Sequence, residues 1–132
     1  MIEVEVLGAE LLGYAPPLAE IRRLCRLAAA SAGLQDGHLA VEFVDGERIL
    51  ALNVEHRGRP SVTDVLSFPI DGVAPLAVGQ RELGDVIICP EQTSDLREAV
   101  VHGVLHLVGM DHEADEGEML ALQRQLLAGE SA

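Results

Sequence analysis

Apolar and acidic residues alternate in "IEVEV" (2–6), the period-two pattern of a strand with one wet face. A helix is predicted from Pro17 to Ala32. Leu18, Ile21, Leu24, Cys25 and Ala28 make its inner stripe, Arg22, Arg23 and Arg26 its outer one, and Gly33 its stop. "HLAVEFV" (38–44) reads as a second strand with Leu39, Val41 and Phe43 on one face, and Asp45 as the N-cap of a helix through "GERILALNVEHR". "GRPSVTD" (58–64) has turn composition and no helical period. The strand "VLSFPI" (65–70) carries Pro69, which suits a sheet edge, and 71–82 reads as a loop. "DVIIC" (85–89) is a continuous run of the kind expected for a strand covered on both faces. A helix follows from about Asp95 to Val108, halted at Gly109. "EADEGEMLALQRQLLAG" makes a last helix, with acids where the helix dipole favours them.

The order β α β α β β α α predicts a single α/β (α+β) domain over residues 1–132. Its core would be a mixed four-stranded sheet with an antiparallel edge strand, and its chemistry would sit on the helix carrying H-x-x-x-H. The length, 132 residues at 48% hydrophobic, suits one folded domain. No apolar run nears the ~20 residues of a membrane span, and the acidic, alternating N-terminus resembles neither a signal nor a transit peptide, so the expected compartment is the cytoplasm. Cys25 and Cys89 match no ligand spacing and read as reduced, buried thiols.

Three of the five histidines fall within "HGVLHLVGMDH" (102–112). His102 and His106 are four residues apart, about 400° of helical turn, so both rings leave one face. A third ligand on the same helix could not converge on them, so the chain has to leave the helix and double back. Gly109 can take the left-handed conformation that ends the helix and lets His112 return to the same ion. Three imidazoles with a fourth position left to water describe an open zinc site, one ion per chain. The spacing matches the metzincin pattern, but the position after the first histidine is Gly103 where those proteases carry their general-base Glu, which argues against proteolysis.

Net charge is −13, with nine arginines, no lysine and only three aromatic residues. Such a surface repels nucleic acid except where arginines gather locally.

Together with "VVHGVLHLVGMDH" (100–112), the stretches "LNVEHRGRPSVTDVLSFP" (52–69) and "LGDVIIC" (83–89) resemble the YbeY family of metal-dependent endoribonucleases of ribosomal RNA maturation and ribosome quality control. The resemblance implies an α/β fold with an edge strand above a metal cleft, and a hydrolase acting on single-stranded RNA. It also implies zinc on His102, His106 and His112, and a functional arginine at Arg57. The chain departs from the family pattern in three places: His56 replaces a Tyr, Arg59-Pro60 and Val62 differ from the usual residues, and the segment from "DVIIC" to His102 is short. In this reading Arg57 grips a phosphate oxygen and offsets charge in the transition state, with Arg59 offering the same chemistry. Ser67, Asp64 and Asp85 are cleft candidates by their motifs. Asp111 either orients a ligand ring or serves the turn, and His38 and His56 take surface or core roles. Arg22, Arg23 and Arg26 would extend the arginine patch, unless ribosomal proteins or other ribosome-associated factors deliver the RNA. Two rival readings are an assembly factor with a mainly structural zinc and a metal hydrolase acting on another substrate.

Overall fold

The computed structural model describes residues 1–13, 17–71, 73 and 80–131. Four strands, β1 (Ile2–Leu7), β2 (Gly37–Phe43), β3 (Val65–Pro69) and β4 (Glu82–Ile88), alternate with α1 (Leu18–Ser31), α2 (Gly46–Arg57), α3 (Leu96–Leu107) and α4 (Glu118–Ser131) in the expected order. The loop expected over 71–82 lies mostly outside the described residues, and its last residue already belongs to β4. β4 reaches α3 through a 3-10 turn at Pro90–Gln92. α4 begins later than expected, at Glu118. The acids ahead of it form the approach, where Asp115 accepts from the Gly117 and Met119 amides.

The sheet order is β1-β2-β4-β3, with β1, β2 and β4 parallel and β3 antiparallel to β4 at the edge. This is the expected mixed four-stranded sheet. Ile2, Val4, Leu39, Val41, Phe43, Val86 and Ile88 face the larger core with Ile21, Leu24, Cys25 and Ala28 of α1, the inner side of α3, and Met119 of α4. A smaller core on the other face joins Leu66, Ile87 and Cys89 to Ile49 and Leu52 of α2. β4 is therefore covered on both sides, as its unbroken apolar run requires. Leu18, expected in the inner stripe, is 39% exposed: it opens α1 one turn before the helix meets the sheet, and Ala29 is buried at the far end instead. Both cysteines are free and buried, and burial pushes the Cys25 thiol up to about 12.

Arg22 and Arg26 correct the expected outer stripe. Arg22 Nε donates to Val4 O at 3.3 Å and Arg26 Nε to Ile2 O at 2.9 Å. They cover carbonyls on the outer side of β1, an edge strand otherwise open to pairing with another chain. One N–H of each guanidinium therefore serves the fold.

Candidate metal centre

α3 starts on Asp95, whose carboxylate accepts from the Arg97 and Glu98 amides, and carries His102 and His106 on its open side. Its inner side is held against the sheet at Gly103. A Cβ there would lie 2.4 Å from Val86 Cγ1, so any larger residue forces the helix or the sheet to shift. The position that holds a general-base Glu in metzincins is here a helix–sheet contact point, which disfavours that carboxylate. Ser67 Oγ ties β3 to the same turn by donating to Gly103 O at 2.9 Å.

The helix ends as the sequence predicts. Gly109 sits at φ +100°, Met110 N donates to Leu105 O and Gly109 N to His106 O, the paired bonds of a Schellman cap. The chain turns back and brings His112 to the other two rings. Ring centroids are 4.8, 4.9 and 5.2 Å apart, and one ligating nitrogen from each ring lies within 4.8 Å of the other two.

The donor set fits a divalent cation. His102 Nδ1 donates to Gln123 Oε1 at 2.8 Å and His106 Nδ1 to Met110 O at 2.9 Å, which leaves each Nε2 to face the centre. His112 Nδ1 is buried with no hydrogen-bond partner, an orphan nitrogen beside two oriented ligands. Burial, reinforced by His102, lowers the His106 pKa and favours the neutral form that binds metal. Among the described residues no other histidine, cysteine or carboxylate joins the group.

The triad opens into a cleft of about 910 Å³. Its far wall is the C-terminal end of α2 and the following loop, with Arg57 and Arg59, and all of β3 lines it, Ser67 included. Both arginines are exposed and make no ion pair among the described residues. The loop is pinned by Asn53, 1% exposed, whose Nδ2 donates to Ser61 O at 2.8 Å.

Neither acid expected beside the ligands, Asp85 or Asp111, hydrogen-bonds a ligand ring. Asp85 is absent from the cleft wall: its neighbours are Glu82, His38 and Glu5, and its carboxyl is pushed up by partial burial and then by Glu82. Asp111 lines the cleft but orients no ligand ring. Its Oδ1 accepts from the Glu113 amide, the turn role, while Gln123 and the Met110 carbonyl hold the rings. His56, expected at the surface or in the core, lines the cleft with its ring edge-on to Phe68, centroids 4.9 Å apart. Gln123 was missed altogether. Its signal was present: a polar residue one turn after Met119 and one turn before Leu127, inside the buried stripe of α4.

The family model for "Endoribonuclease YbeY" matches residues 18–130. The chain belongs to the YbeY family. A YbeY protein named endoribonuclease from Alkalilimnicola ehrlichii is 41% identical over 143 residues, covering 97% of this chain and 86% of its own. One from Rubrobacter xylanophilus is 38% identical, covering 94% and 93%. The solution structure of TM1509 from Thermotoga maritima superposes with a TM-score of 0.56 at 25% identity, over 93% of this chain and 85% of that one. The YbeY match spans both the histidine triad and the Arg57–Ser67 wall, so the cleft and its metal centre lie within the family domain.

Proposed function

We propose that this chain is an endoribonuclease that hydrolyses phosphodiester bonds of single-stranded RNA, with one zinc ion held by His102, His106 and His112. The observation carrying the reading is that three converging imidazoles open into the same cleft as two arginines that make no ion pair among the described residues. Among the described residues the ligand group stops at three, as a catalytic rather than a closed structural site requires. Bound there, the cation supplies Lewis-acid polarisation of a phosphoryl oxygen and activation of a water nucleophile.

The chain's own groups do the rest. Arg57 grips a non-bridging phosphate oxygen through parallel N–H donors and stays charged as negative charge builds up on phosphorus. Arg59 holds the flanking phosphate. The substrate class is ribosomal RNA, the setting is its maturation and ribosome quality control in the cytoplasm, and ribosomal proteins or other ribosome-associated factors help an acidic protein meet its RNA.

The test is elemental analysis of the purified protein beside cleavage of a single-stranded RNA by wild type and His106→Ala. Wild type carries close to one zinc per chain and cuts, while the variant carries none and does not. Equal cutting by both would assign the activity to a contaminant and remove the triad from the chemistry.

A further inference from the structure

The two edges of the sheet are finished differently. On β1 the outward carbonyls of Ile2 and Val4 are bonded by Arg26 and Arg22. On β3 the outward groups follow from the ladder. Leu66 and Phe68 face Ile87 and Asp85, and the pairing continues at both ends, where Cys89 N donates to Asp64 O and Ile70 N to Leu83 O. In an antiparallel pair the bonded residues alternate, so the even-numbered residues of β3 turn their backbone to β4. Val65, Ser67 and Pro69 turn theirs to the open edge.

Of these three, Val65 N already donates to Asp64 Oδ1 at 2.9 Å, and proline has no N–H to give. Ser67 is left as the one residue of β3 that offers an unpaired N–H and its own carbonyl side by side on the edge. Its hydroxyl does not compete, because it is spent on Gly103 O. Every residue of β3 lines the cleft that holds the histidine triad, Arg57 and Arg59. An edge is normally blocked along its length to prevent pairing between chains. Here the blocking devices, an Asp cap and a proline, flank a single open donor–acceptor pair that faces the candidate site.

We propose that the Ser67 main chain reads an unpaired nucleobase of the RNA, an inference that rests on the endoribonuclease reading. The Ser67 carbonyl accepts from a ring imino or amino N–H on the Watson–Crick edge, and the Ser67 N–H donates to the adjacent ring oxygen or nitrogen. Arg57 and Arg59 meanwhile hold the phosphates. A base inside a duplex has that edge occupied by its partner, so this contact by itself selects single strands. It also supplies affinity that an acidic surface with few aromatics cannot draw from long-range attraction or stacking.

The test measures binding of the zinc-loaded protein, by fluorescence anisotropy, to a labelled oligouridylate and to the same oligomer built from N3-methyluridine. The second has identical charge and no imino donor. Wild type binds the unmodified oligomer about tenfold tighter, as expected when a bidentate base contact is lost. Ser67→Pro removes the outward N–H, at an edge position that tolerates proline, and also the hydroxyl bond to Gly103 O, which Ser67→Ala removes by itself. The Ser67→Pro preference for the unmodified oligomer falls well below tenfold, because only the carbonyl contact remains, while Ser67→Ala keeps the wild-type preference and both keep their zinc.

Equal affinity of wild type for the two oligomers overturns the proposal without any variant, so a failure of Ser67→Pro to fold does not shelter it. A folded Ser67→Pro protein that keeps the tenfold preference also overturns it, as does a dimer of wild type that pairs through this edge and dissociates in that variant. Cleavage of RNA without base discrimination sinks this inference and spares the nuclease reading. Base discrimination without any cleavage does the reverse, and binding to neither oligomer sinks both.

Discussion

Gln123 Oε1 accepts from His102 Nδ1 at 2.8 Å, so a residue of the last helix sets the tautomer of the first ligand of the metal centre. Gln123 is one of the few buried polar residues among those described, placed there because Met119 docks α4 into the main core. Loss of such an outer partner typically weakens metal binding by about 10–100-fold. Gln123→Ala is expected to show that loss in a competition titration with a chromogenic chelator, while Gln123→Glu, which keeps an acceptor, restores most of it. Undiminished zinc affinity in Gln123→Ala would reduce this bond to packing.

At Gly103 helix propensity and tertiary packing oppose each other. Alanine would favour the helix by about 1 kcal/mol, but its Cβ would sit 2.4 Å from Val86 Cγ1. Overpacking of this kind costs about 1–3 kcal/mol. Gly103→Ala should therefore lower the urea midpoint, and adding Val86→Ala should recover part of the loss by opening space. A stabilised single variant would show that α3 can lift off β4 at little cost.

Arg57→Ala should abolish most RNA cleavage with zinc content unchanged. It should also flatten the slope of log affinity against log salt by about one, the signature of a lost phosphate contact. Wild-type cleavage of naked RNA should be poor and fall steeply with salt. Brisk cleavage indifferent to salt would contradict the reliance on Arg57 and Arg59 to hold the RNA phosphates.

His38 bonds Glu82 through Nδ1 at 2.8 Å and lies 3.5 Å from Glu5 through Nε2, with Asp85 nearby. The Glu82 hydrogen bond raises the His38 pKa more than partial burial lowers it. Folding therefore binds the proton more tightly than the unfolded chain does. The resulting stability is complete below the unfolded value of about 6.5 and is lost as pH rises through the raised folded value. His38→Gln should cost more stability at about pH 5.5 than at about pH 8.5, measured by denaturant unfolding of zinc-loaded proteins. A cost independent of pH would mean that His38 contributes as a neutral ring.

Much of this molecule was legible in its sequence because the signals are local. The order of elements follows from periodicities of two and 3.6, and Asp45 and Asp95 cap their helices where capping chemistry places them. The histidine triad belongs to this group too. Two ligands one helical turn apart, a glycine that reverses the chain and a third ligand after it form one continuous segment whose geometry needs no distant residue.

What only the tertiary structure decided are relations between segments that share no local pattern. Arg22 and Arg26 alternate on α1 like a solvated stripe, yet they close the edge of β1, because the carbonyls they bond belong to another element. Asp85 sits in a family motif but stands beside His38, since parity along β4 and its register with β2 choose the face. Gln123 reaches His102, and Ser67 keeps an open backbone, only because helix docking and strand order bring together residues far apart in the chain. Local sequence sets which groups exist and how each segment bends. Which group meets which is set by the burial of apolar faces across the whole domain.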